Sequence, residues 1–163
     1  MLAKTQDLTR EATVAKLKEY YDGYHFSKVS PDIFNPYSLL NCFADKNFGA
    51  YWFSSGTPTY LINMLNRFDV LPATIAPTEA LSSAFDAPTE KMTSITPLLY
   101  QSGYVTINDY DKDTQLYTLD IPNKEIRVGL FNSLLPNYVN GTQAQQGGVT
   151  ITKTVSYTHL TLP

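Results

Sequence analysis

The stretch Tyr20-Tyr21-Asp22-Gly23-Tyr24-His25-Phe26, followed nine residues later by Asn35-Pro36-Tyr37-Ser38-Leu39-Leu40, constrains this chain more than any other. Aromatic rings with polar tips gain most where the face packs and the tip finds a partner, so this density of rings predicts a packed segment. Asp22-Gly23 predicts a chain reversal, because glycine tolerates the left-handed conformation that ends helices. Asn35 suits a helix cap, and Pro36 suits the first helical position, where its missing N–H has no helical partner anyway. The reading is helix, short aromatic-lined crossing, helix. It contains no nucleophile, metal cluster or phosphate loop.

The same punctuation extends along the chain. A helix is predicted over about 9–21, capped by Thr9, with Val14, Leu17, Tyr20, Tyr21 and Tyr24 on its apolar side. A second helix spans Tyr37 to about Ala44. Gly56-Thr57-Pro58 opens a third, whose stripe is Leu61, Ile62, Leu65 and Phe68. Residues 71–92 show no firm period, and an edge strand is expected near 80–85. Thr96-Pro97 opens a short helix ended by Gly103. Tyr104–Ile107 and Gln115–Leu119 read as a hairpin with an acidic turn. Pro122-Asn123 opens a last helix with Ile126, Leu130, Phe131, Leu134, Leu135 and Tyr138 on one face.

Several of these segments together resemble the end of the AAA-ATPase-like domain in a family of bacterial ATP-binding proteins, many of which carry a PD-(D/E)XK nuclease-like domain further along. The resemblance begins with Leu17-Lys18-Glu19-Tyr20-Tyr21-Asp22-Gly23-Tyr24-His25-Phe26-Ser27 and Phe34-Asn35-Pro36-Tyr37-Ser38-Leu39-Leu40. It continues through Tyr51-Trp52-Phe53-Ser54-Ser55-Gly56-Thr57-Pro58-Thr59-Tyr60-Leu61, Phe85-Asp86-Ala87-Pro88-Thr89-Glu90 and Leu99-Tyr100-Gln101-Ser102-Gly103-Tyr104-Val105-Thr106-Ile107. It covers about 8–140 and implies an internal or C-terminal piece of a longer protein. It further implies ATP and Mg as cofactors of that parent protein, and as partners a missing upstream ATPase core and a downstream nuclease-like domain.

The chain itself lacks the parts such chemistry needs. A phosphate loop ends in Gly-Lys-Ser or Gly-Lys-Thr, and here no Gly precedes a Lys. The nuclease signature sets an acidic residue two positions before a Lys on a strand, and no acidic residue here has that spacing. No catalytic, cofactor-binding or metal-binding residue is therefore assigned, and the fragment is expected not to be an enzyme. Asp109, Asp111 and Asp113 alternate as in a calcium loop, but Thr114 stands where glycine is required and Asp120 where the terminal Glu is required. A solvated acidic turn is the better account. Cys42, His25 and His159 are too few for a zinc cluster. Cys42 reads as a small buried hydrophobe and His25 as a structural histidine. Arg10, Arg67 and Arg127 are the only arginines, and nothing around them selects one as a trans-acting finger.

The expected fold is α+β and mainly helical. Residues 1–70 form the C-terminal part of the AAA-ATPase-like domain, 71–140 a winged-helix-like helix–hairpin–helix module, and 141–163 a linker and non-native tail rich in Gln, Gly and Thr. A net charge of −3 argues against a free-standing nucleic-acid binder. The single cysteine fits a reducing compartment, and no apolar run approaches the ~20 residues of a membrane span. A cytoplasmic location with no membrane partner is expected. Asn140-Gly141-Thr142 matches a glycosylation acceptor, a match without meaning lacking a secretory signal.

Three functions are weighed. The first is a non-catalytic accessory region coupling the nucleotide-binding core to the nuclease-like domain. The second is a nucleic-acid-binding winged helix, disfavoured because residues 96–102 hold no basic side chain and the hairpin tip sets Lys112 among three Asp. Lys124 and Arg127 are the basic residues the last helix offers. The third is a docking module, self-association included, through Tyr21, Tyr24, Phe26, Phe34, Tyr37 and Trp52. The residues that carry the motifs are Tyr21, Asp22, Gly23, Tyr24, Phe26, Asn35, Pro36, Ser38, Trp52, Gly56, Thr57, Pro58, Gly103, Tyr104, Pro122 and Asn123.

Overall fold

The computed structural model describes residues 2–55, 59–71 and 74–138. Its elements run α1 Leu2–Thr5, α2 Arg10–Tyr21, α3 Pro36–Asp45, α4 Tyr51–Ser55, α5 Thr59–Arg67, β1 Thr78–Ala80, α6 Ser82–Phe85, α7 Thr96–Gln101, β2 Thr106–Tyr110, β3 Tyr117–Asp120 and α8 Lys124–Tyr138. A 3₁₀ turn covers Thr89–Lys91. The fold is α+β, about half helical, with one small antiparallel sheet in the order β1-β3-β2. Gly56, Thr57, Pro58 and the segment 141–163 lie outside the described residues.

Local chemistry accounts for most boundaries. Thr9 Oγ1 accepts from Ala12 N at 3.1 Å and starts α2. Asn35 Oδ1 accepts from Ser38 N at 3.2 Å, and Pro36 fills the first position of α3. Gly103, with φ +74°, closes α7 while Tyr104 N donates to Leu99 O at 2.8 Å. Asn123 Oδ1 accepts from Ile126 N at 3.2 Å and starts α8.

Three expectations give way to tertiary packing. The inward stripe of α2 is Thr13, Leu17 and Tyr21, spaced by four, and Val14 faces solvent. Thr13 suits the inward face because its hydroxyl donates back to Thr9 O at 2.7 Å. The strand expected near 80–85 ends at Ala80. From Ser82 the chain turns helical so that Phe85 can pack edge-on against Tyr100, with centroids 4.6 Å apart. The hairpin strands also sit two residues or so later than the β-branched runs suggested, pairing Thr106 with Asp120 and Tyr110 with Tyr117.

The main core lies between α5, α7, the sheet and α8. Leu65, Leu99, Val105, Leu119, Ile126 and Leu130 are at its centre, all within 2 % of complete burial. Each such side chain contributes ~1.5–3 kcal/mol relative to exposure. A smaller cluster joins Leu2, Leu17, Tyr21 and Cys42. Helices α4 and α8 approach closely at Gly129, where a Cβ would lie 2.3 Å from Phe53 Cγ.

Candidate functional site

The motif residues meet in one buried polar seam. It starts at the reversal after α2, where Gly23 has φ +94° and a Cβ would lie 2.2 Å from Pro122 O. Only glycine meets both demands. Asn123 then reaches back across this contact, its Nδ2 donating to Asp22 O at 3.0 Å. Asn35 N donates to Tyr21 O at 2.7 Å, so the capping asparagine of α3 is itself held by the end of α2. Tyr21 is completely buried. Its hydroxyl donates to Gly49 O at 3.1 Å and accepts from Gly49 N at 3.0 Å, clamping the turn before α4. Burial raises its phenol well above the ordinary range.

At the centre of the seam is Glu125, 1 % exposed, in the first turn of α8. Its Oε1 accepts from Ser38 Oγ at 2.8 Å and from Trp52 N at 2.7 Å. One carboxylate therefore ties α3 and α8 while capping the N-terminus of α4, where free amides and the helix dipole favour negative charge. Burial pushes its carboxyl up, and the bonds from Ser38 and the amides of 51–53 oppose that rise. Its Oε2 and the Oδ1 of Asp22 meet no protein donor. The ionisable neighbours that feel Glu125 are Tyr21, Tyr24 and Tyr51. Tyr24 is pushed up to about 12 by burial, against the lowering effect of bonding to Asn35 and Asn123. Ser38 and Glu125 are 0% and 1% exposed, so this hydroxyl–carboxylate pair has no solvent-facing side.

Above the seam opens a cleft of about 600 Å³. Its lining includes Tyr24, Phe26, Pro36, Tyr37, Trp52, Tyr100 and Gly103. None of its lining residues carries a charge. Trp52 is fixed by an edge contact to Tyr104, centroids 5.4 Å apart. The loop 25–33 forms the rim. Tyr24 and Ile33 exchange backbone bonds at its base, 3.2 and 3.0 Å long. His25 sits between two acceptors, Nδ1 2.8 Å from Ile107 O and Nε2 2.8 Å from Asp32 Oδ1. Thr106 adds a reciprocal pair, its Oγ1 accepting from His25 N and donating to His25 O.

The structure thus brings Tyr21, Asp22, Gly23, Asn35, Ser38, Trp52, Pro122 and Asn123 into the seam and sets Tyr24, Phe26, Pro36 and Gly103 along the cleft, with Tyr104 behind Trp52. Tyr21 drops out as a docking residue because it has no exposed surface. Cys42 is fully buried, its thiol pushed up by burial. Asp111 at the hairpin tip folds onto its own turn, accepting from Asp113 N at 2.8 Å and Thr114 Oγ1 at 2.8 Å, which lowers its carboxyl. Among the described residues no group of three His, Cys, Asp or Glu is placed to share a metal. No described helix is long and apolar enough to cross a membrane. The sequence reading missed Glu125, Gly129 and Thr106. A first-turn acid is the signal at 125, but it does not say that the side chain caps another helix.

No protein-family model and no solved structure matches the chain. Over 129 residues it is 33% identical to an "uncharacterized protein in vnfD 5′ region" of Azotobacter chroococcum mcd 1, covering 76% of this chain. The match spans 24% of that protein, so the chain corresponds to about a quarter of the length of the curated relative.

Proposed function

We propose that this chain is a non-catalytic coupling module of a longer, cytoplasmic AAA-ATPase-like protein, joining a nucleotide-binding core to a nuclease-like domain. The observation that carries the reading is the use made of the motif residues. Those that supply the resemblance cap helices, reverse the chain and bridge Asp22, Ser38 and Trp52 to Asn123 and Glu125. Residues of this kind transmit position and perform no chemistry. The same bonds, with Lys124 Nζ 2.8 Å from Glu19 Oε1 and His25 on Thr106, run across position 70. A displacement at α2 or α3 would therefore reach α8 through a packed path.

The winged-helix-like reading of the second half is supported by element order. A short β1 precedes two helices and the β2–β3 hairpin, and β1 pairs with β3 at the sheet's edge. In a DNA-binding winged helix the helix before the hairpin enters the groove. Here α7 buries Pro97, Leu98 and Leu99 and presents no cation, so coupling is preferred over DNA readout. Isothermal titration of the 163-residue chain with Mg-ATP tests the boundary: no binding is expected, and micromolar affinity would overturn the reading. A salt-sensitive gel shift at low ionic strength would instead favour the nucleic-acid alternative.

A further inference from the structure

Helix α4 lacks the local support that starts α2, α3 and α8. Ala50, whose carbonyl accepts from Ser54 N at 2.9 Å, stands in its capping position, and a methyl group offers no oxygen to the amides that follow. Trp52 N is met instead by two side chains from elsewhere in the chain, Glu125 Oε1 at 2.7 Å and Ser38 Oγ at 3.3 Å. A helix of five residues lies far below the ~12–15 that hold together alone in water. The order of α4 therefore comes from its neighbours, α8 and α3.

Its position between them is specific. Tyr51 leans on the smaller cluster of Leu2, Leu17, Tyr21 and Cys42, while Trp52 and Phe53 lie against the main core, so α4 joins the two. Phe53 is buried, and it presses onto α8 where Gly129 leaves room. Neither α4 nor the first turn of α8 can open alone. Were α4 to unwind by itself, Glu125 would stay buried without the Trp52 amide, and a buried carboxylate that loses donors is costly. Were the α8 turn to lift by itself, Trp52 N would lose its carboxylate and Phe53 its seat, and five residues do not stay helical without them. Ile126, on the same turn, is completely buried, which keeps the opened form a minor one.

We infer that α4 and the first turn of α8, residues 124–127, form a single order–disorder unit that opens while the main core stays folded. In the opened form Trp52 leaves Tyr104 and the aromatic cleft loses part of its lining. The inference stands on these contacts and not on the coupling role. Native-state amide exchange of the full chain in increasing, sub-denaturing urea tests it. Trp52 N and Ser54 N in α4 and Arg127 N in α8 are all hydrogen-bonded. They are expected to exchange through one opening, with a common free energy and a common urea dependence, ahead of Leu99 N and Tyr104 N in the main core. Asn123→Ala removes bonds to Ile126 N and Asp22 O, neither of them in α4. It should nevertheless speed exchange at Trp52 and Ser54 as much as at Arg127, by about tenfold. Acceleration at Arg127 with Trp52 and Ser54 unmoved would show α4 opening independently and overturn the inference. Wild-type Trp52 and Ser54 exchanging only together with Leu99 and Tyr104 would leave no unit smaller than the whole fold and overturn it equally, whether or not the variant folds.

Discussion

Removing the Glu125 carboxylate should unfasten three helices at once, and the way it does so separates its bonds from its charge. In Glu125→Ala, Ser38 Oγ and Trp52 N both lose an acceptor buried in the seam. A buried donor stripped of its partner costs about 1–3 kcal/mol, and two of them plus the vacated side-chain volume give about 3–5 kcal/mol. Glu125→Gln keeps a carbonyl oxygen for both donors but sets an NH₂ where Oε2 meets no partner. That penalty is offset by relief of a buried charge, so at neutral pH it should lie within about 1.5 kcal/mol of wild type. The pH dependence carries the sign. Burial raises the folded carboxyl above its ordinary 4.5, so between 4.5 and that raised value the folded state holds more proton than the unfolded one. Stability contributed by this group is then present at and below pH 4.5 and falls as pH rises through the window. Wild type should gain on Glu125→Gln as the solution is acidified towards 4.5, while the other carboxylates cancel between the two proteins. Urea unfolding followed by Trp52 fluorescence at several pH values measures this directly. If wild type instead gains on the Gln variant as pH rises, the amide and hydroxyl bonds outweigh burial and the reasoning fails.

Gly23→Ala forces a Cβ to 2.2 Å from Pro122 O at φ +94°, where both neighbours are backbone and cannot swing aside. A loss of about 3–5 kcal/mol is expected, seen as a collapse of the melting temperature or as insoluble expression. Gly129→Ala meets the buried root of Phe53, its Cγ and Cβ, which cannot swing aside, so α4 and α8 must move apart and a cost of about 3 kcal/mol should appear in the same melt. His25→Ala removes the bonds to Ile107 O and Asp32 but leaves Tyr24–Ile33 paired. Amide exchange should accelerate across 26–32 with little change in global stability, and uniform acceleration along the chain would contradict that.

How far the sequence reached depended on the range of each cause. Thr9, Asn35-Pro36, Gly103 and Asn123 act on amides or carbonyls within about one turn of themselves, and the structure has a helix end at each of them. Glu125 acts on residues 73 and 87 positions away, and Gly129 is demanded by a ring on a different helix. No local pattern encodes such a demand. Strand β1 shows the intermediate case: Thr78–Ala80 is three residues long and has no period of its own, but register with Leu119, Thr118 and Tyr117 makes it a strand. His25 is instructive in the same way. Its aromatic surroundings marked it as structural, yet its specific task, holding a loop against β2, follows only from Thr106 and Ile107 arriving more than eighty residues later. The Asp22-Gly23 step joins the two kinds of cause. Its left-handed glycine is legible locally, but Pro122 O pressing where a side chain would sit makes the position intolerant of any larger residue. At this step, local rules and distant contacts converge on the same few residues.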